Sequence, residues 1–252
     1  MYIQKNENYF LRIGMSQFKY NILFVFLIIS FSESKAQSFI NDFKKIKECY
    51  SRKDKQVSYE IKIRYYNMKD LDHPIDSMNG KYSLYGSKMN IFIGGVRSIL
   101  NENVYLTINQ EEKIMLVGKN NVSKCNSTGV EMIDSLMQDS DFVVKSIQPH
   151  IAGTKAYRLI YNNETVDSSD IVFYEQTFFL HSMNIYYHSS DVFGQDKEYK
   201  PEVIMEFVNQ KISDKPDLSL YSISKYISIV SNDKVIPTLK YKDFKIFNHL
   251  KF

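Results

Sequence analysis

No tryptophan occurs in this chain of 252 residues, and cysteine (two), proline (five) and glycine (nine) are scarce. No Gly-x-Ser-x-Gly elbow, P-loop or Gly-x-Gly-x-x-Gly run is present, which removes three common routes to acyl transfer, phosphate binding and dinucleotide binding. His-Glu-x-x-His and Cys-x-x-Cys are missing too. The five histidines (His73, His150, His181, His188 and His249) are scattered, and His181 and His188, seven apart, fall on opposite faces of a strand. The expectation is no metal, no cofactor and no catalytic residue. A dominant charge of one sign is also lacking, since the formal net charge is only +3. Nucleic acid wants a concentrated basic face, so that partner class is excluded.

No hydrophobic run is long enough to span a bilayer, which takes roughly 20 residues. The longest, Ile22–Ile29 with its extension to Phe31, follows Lys19 and precedes Ser34-Lys-Ala36, with small residues where a signal peptidase reads. The pattern predicts a secretory signal peptide over residues 1–36, cleaved after Ala36, with an uncleaved anchor as the competing reading. Met15 is also placed to be the start, which would make Met1–Gly14 an extension. No cysteine follows the cleavage point, so lipid attachment is not expected there. The leader holds four cations (Lys5, Arg12, Lys19, Lys35) and two acids (Glu7, Glu33), so its removal lowers the net charge from +3 to +1. The remaining 37–252 suits one large β domain or two small ones, and is read as a single exported, periplasmic domain. In that compartment Cys49 and Cys125 leave two readings open. One is a disulfide worth very roughly 4 kcal/mol if free of strain, the other a pair of buried thiols.

What the chain does have is aromatics, 19 Tyr and 17 Phe, in alternating runs. Val57, Tyr59, Ile61, Ile63 and Tyr65 alternate with Ser58, Glu60, Lys62 and Arg64, giving one apolar and one wet wall. Gly80–Ile93, Val104–Ile108 and Ile114–Val117 continue the pattern at hairpin spacing, an antiparallel meander. Gly94-Gly95 breaks it, and Val96–Asn103 reads as a short crossing or edge piece. Strands return at Phe142–Val144, Lys155–Tyr161, Ile171–Tyr174, Phe178–Tyr187, Val203–Val208, Lys225–Val230 and Leu239–Phe247, for nine to eleven in all. Two amphipathic helices are expected. Residues 37–50 carry an apolar stripe of Phe39, Ile40, Phe43, Ile46 and Tyr50, and Val130–Met137 follows a Thr128/Glu131 capping box. The class is therefore α+β, a large sheet wrapped over helices.

Two constellations invite a functional reading. Asp167, Asp170 and Glu175 gather near a turn, and paired acids serve glycoside chemistry when about 5 to 10 Å apart, though solvated turn acids are far commoner. The other is the apolar wall. Tyr59, Ile61, Ile63, Tyr65, Tyr82, Leu84, Met89, Ile91, Leu106, Met115, Met183 and Met205 are candidates to line an apolar cavity, because Met and aromatic side chains adapt to ligands of variable shape. The same residues serve equally as ordinary core.

The order of leader, amphipathic helix, meander, short helix and second set of strands resembles the periplasmic lipoprotein-carrier superfamily (LolA/LolB-like). Asn103-Val-Tyr-Leu-Thr-Ile-Asn109 with Glu112-Lys-Ile-Met-Leu-Val117 is similar to that family's central hairpin. The resemblance implies a large curved antiparallel sheet, a half-open β-barrel, with the N-terminal helix and the short central helix on its concave face. It also implies a non-enzymatic carrier whose partner is a lipid or the acyl group of a lipoprotein. The family's Arg-Pro-x-x-aromatic strand is replaced here by Gly80–Gly86, and its Asp-Gly hairpin by Asn101–Tyr105, so no arginine inherits a lid-locking role. The alternative function is a structural or adaptor protein of a cell-envelope machine, with a filled core and envelope proteins as partners.

Overall fold

Alternation is what builds this molecule. A computed structural model describes residues 37–67, 70–120, 141–162, 164–188, 201–231 and 234–250. The leader, Cys125 and the expected helix Val130–Met137 lie outside the described residues. One helix, α1 (residues 37–50), precedes the strands. They are β1 (Gln56–Asn67), β2 (Asp76–Tyr85), β3 (Lys88–Ile93), β4 (Val96–Leu100), β5 (Val104–Asn109), β6 (Ile114–Lys119) and β7 (Phe142–Ile147). The chain continues through β8 (Thr154–Tyr161), β9 (Val166–Tyr174), β10 (Leu180–Tyr187), β11 (Pro201–Ser213), β12 (Ile227–Ser231), β13 (Lys234–Pro237) and β14 (Lys245–His249).

Twelve of these strands form one sheet in the order β14-β6-β5-β4-β3-β2-β1-β11-β10-β9-β8-β7. β1 stands at its middle, pairing β2 on one side and β11 on the other. Every pairing is antiparallel except β14 with β6, which is parallel. The sheet is open, with β14 and β7 as its outer strands. Hairpin turns fall where the backbone can reverse its hand: Gly86 (φ 57°) between β2 and β3, and Gly94 and Gly95 (φ 53° and 80°) between β3 and β4.

Both faces of the sheet are covered. On one, α1 buries Phe39, Phe43, Ile46, Cys49 and Tyr50 against side chains of β1–β3 and β8–β11. On the other, Val104, Leu106, Ile108, Met115 and Val117 pack under Ile227, Tyr241 and Leu250 of the C-terminal segment. Parity along β5 makes the division plain. Tyr105 turns toward the α1 layer, while Val104, Leu106 and Ile108 turn away from it.

Several expectations need correction. Val96–Leu100 is no edge piece: β4 is hydrogen-bonded on both sides, and the diglycine is simply its hairpin turn. Leu239–Phe247 is not one strand. A 3-10 turn occupies Leu239–Tyr241, and only the end of the segment joins the sheet as β14. Fourteen strands are present among the described residues, more than the nine to eleven expected. Ile40 leaves the helix stripe and is 49% exposed, and Cys49, on the stripe's other flank, is buried instead. At 100° per residue Ile40 sits well off the Phe39–Phe43–Ile46–Tyr50 line.

Candidate functional site

The α1-covered layer is built in rows across the strands. Met78, Ile63, Met205, Met183, Ile171 and Tyr157 are consecutive cross-strand partners from β2 to β8. One residue-pair along runs Tyr65, Val203, Ile185, Ser169, Leu159 and Val144. Of the two hydroxyls in that second row, Ser169 Oγ lies 2.8 Å from Tyr161 Oη and Tyr65 Oη faces Met78 Sδ at 4.0 Å. Three methionines in the first row make an adaptable strip of wall.

Ten of the twelve candidate lining residues meet here. Tyr59, Ile61, Ile63, Leu84, Met89, Ile91, Met183 and Met205 are buried members of one cluster, with Tyr65 and Tyr82 half-buried against it. Leu106 and Met115 belong to the opposite cluster instead. Period-2 spacing assigns them a common face of a hairpin, but which face of the sheet receives α1 is a tertiary fact.

Polar contacts hold α1 at both ends. The Asp42 carboxylate accepts from Lys155 Nζ at 2.6 Å and from the Tyr157 hydroxyl at 2.8 Å. Tyr50 donates to Gln210 Oε1 at 2.7 Å and accepts from the Leu180 N–H at 3.0 Å. Burial pushes the phenols of Tyr50 and Tyr157 above their ordinary value. Cys49 is a buried free thiol whose Sγ donates to the Thr177 carbonyl at 3.1 Å. Beneath the helix the layer is filled: Phe39 meets Tyr157 edge-on at 5.1 Å, Tyr50 meets Tyr59 at 5.2 Å, and Tyr59 stacks on Tyr82 at 4.9 Å.

At the border of the same layer half-buried side chains pack against the core cluster, among them Tyr65, Met78, Tyr82, Ile93, Tyr105 and Tyr187. Desolvation raises the phenol pKa of Tyr65, Tyr82 and Tyr187, so all three stay neutral at physiological pH. Tyr105 lies across Gly118, its cross-strand partner, so closely that a Cβ there would strike the ring. Chemically this rim is an apolar, uncharged strip with hydroxyls at intervals.

The opposite face of β8–β11 carries a polar cluster that spacing only half announces. Asp170, flagged from sequence, is clamped by Arg158 through two bonds of 2.6 Å and accepts from Tyr186 at 3.2 Å. Glu202 joins it unforeseen. It is buried, accepts from Asn184 at 3.4 Å, and desolvation raises its carboxyl pKa. Its signal was faint: a lone acid opening an apolar strand. Asp167 lies 3.8 Å from His188, and Glu175 is exposed in the β9–β10 turn, so the three turn acids do not converge. Among the described residues, no three His, Cys, Asp or Glu side chains are grouped to hold a metal ion. Two open clefts, of about 600 and 780 Å³, have mixed polar and apolar linings, and only Tyr59 and Tyr82 of the candidate residues border either.

No family model matches the sequence, and no curated protein matches it. Among solved structures the chain is similar to an uncharacterized conserved protein from Thermus thermophilus, at TM-score 0.46 and 7% identity over 73% of this chain and 93% of that one. It is similar to a LolA superfamily protein from Nitrosomonas europaea, at TM-score 0.32 and 11% identity, covering 72% and 96% of the two chains. A putative outer membrane lipoprotein-sorting protein domain from Vibrio parahaemolyticus gives TM-score 0.33 and 6% identity, covering 73% and 96%.

Proposed function

We propose that this is an exported, non-enzymatic protein of the bacterial envelope, released by cleavage after Ala36, which holds an acyl chain in a LolA-like half-barrel. The acyl chain, from a lipid or a lipoprotein, lies along the strip formed by Tyr65, Met78, Tyr82, Ile93, Tyr105 and Tyr187. The observation that carries this reading is the border of half-buried, uncharged side chains packed against the apolar layer. Each methylene withdrawn from water contributes about 0.8 kcal/mol, so a short length of chain gives useful affinity. α1, tied by Asp42 and Tyr50, acts as a fixed end wall. Native mass spectrometry of protein taken from an envelope fraction should show bound lipid. A fluorescent fatty acid should bind the purified protein, and Met78→Glu should weaken it by about tenfold or more, since a carboxylate facing the acyl chain loses its hydration. Absence of copurifying lipid together with no fatty-acid binding would sink the reading.

The filled space beneath α1 favours a second reading, an adaptor that contacts envelope proteins and takes no ligand. Phe39 and Ile46 are fully buried and Tyr59 is 2% exposed, with ring contacts from Phe39 to Tyr157 and from Tyr50 to Tyr59 across that space. In that case a pull-down from the envelope returns a stable protein partner, and lipid is absent.

A further inference from the structure

The C-terminal cover of the second cluster presents a surface that acyl binding does not use. β12 and β13 form a separate two-stranded hairpin that sends Ile227 and Val235 into the second cluster. Val230 and Ile236 stay 60% and 41% exposed, and Leu239, two residues past β13, is 89% exposed. Lys225, Lys234, Lys240, Lys242 and Lys245 lie on the same segment, all five exposed. Residues 218–250 hold only two acids, Asp233 and Asp243, so the segment carries an excess of three positive charges. Exposed apolar side chains on a segment with an excess of positive charge are a strong local asymmetry.

We infer that this surface docks on an anionic lipid bilayer, with Leu239, Val230 and Ile236 entering the headgroup boundary and the lysines meeting lipid phosphates. The residue types favour lipid over a protein partner. Protein interfaces are enriched in arginine and depleted in lysine, whereas residues 218–250 contain five lysines and no arginine. A lysine on a flexible stem can lie along apolar surface and lift its ammonium to the headgroups. Each such lysine near an anionic surface contributes about 1 kcal/mol, roughly a fivefold change in partition.

The inference stands apart from acyl binding and is tested separately. Protein purified as the cell exports it, its start fixed by intact mass, is co-sedimented with phosphatidylcholine vesicles with and without about a third phosphatidylglycerol. Binding is expected to the anionic vesicles, with a loss on the order of tenfold in Lys240→Glu/Lys242→Glu and in Val230→Ser/Leu239→Ser. Added salt should weaken binding of the wild type more than that of the lysine variant. All four side chains are exposed, so thermal melts should be unchanged, which separates lost docking from lost folding. Failure of the wild type to sediment with anionic vesicles overturns the inference, as does wild-type binding by both variants. Retention of a soluble protein by this surface without vesicle binding overturns it in favour of protein docking. Fatty-acid binding would survive any of these results.

Discussion

Glu202 opens β11 with its carboxyl out of solvent, facing Asn184 and Tyr186 of β10, Asp170 of β9 and its cross-strand partner Tyr66 of β1. The cluster's guanidinium, Arg158, is committed to Asp170, and among the described residues no ion pair reaches Glu202. Desolvation raises its pKa above the ordinary 4.5, with the Asp170 charge adding to the shift. The folded state then holds the proton more tightly than the unfolded one, and stability falls as pH climbs from 4.5 through the raised value. Glu202→Gln keeps the acceptor for Asn184 and removes the ionisation. Thermal melts should show the variant more stable than the wild type at pH 8, with the gap closing at pH 4. An equal gap at both pH values would place the effect in packing rather than charge. Of this cluster, only Asp170 stood out in the sequence, since a cross-strand pair such as Arg158–Asp170 depends on register between distant residues.

At the scale of elements, α1 separates what period fixes from what packing decides. Phe39 is fully buried against Phe43, Phe142 and Tyr157, whereas its neighbour Ile40 is 49% exposed. Phe39→Ala should therefore cost about 3–5 kcal/mol in urea unfolding, and Ile40→Ala no more than about 0.5 kcal/mol. Similar losses for the two would mean that α1 docks through another stripe. The helix itself was readable because its apolar residues recur at 3.6-residue spacing, and the hairpins were readable from alternation bounded by turns. β4 was misread because Gly94-Gly95 looks the same as a break and as a tight turn. β14 was misread because its parallel partner β6 is fixed by a long return of the chain, and no local pattern encodes that.

For the whole molecule, the decisive feature is that one sheet divides two cores. Ile46 belongs to the α1 layer and Ile108 to the layer beneath the C-terminal segment, with the sheet between them. This is also why Leu106 and Met115, sensible cavity candidates from alternation alone, cannot touch a ligand lying along the α1 face. Ile46→Val and Ile108→Val should each cost about 0.5–1.5 kcal/mol, and the double variant should equal their sum to within about 0.5 kcal/mol. Met183 and Met205 are the contrasting case. They are direct cross-strand partners in the methionine row, so each reshapes the space the other fills. Met183→Leu with Met205→Leu should depart from additivity by about 0.5 kcal/mol or more. A coupled Ile46/Ile108 pair would mean that strain passes through the sheet, and a ligand on one face would then alter packing on the other. Additivity there, with coupling between the methionines, confines any guest's influence to the α1 face and leaves the C-terminal surface free to act on its own.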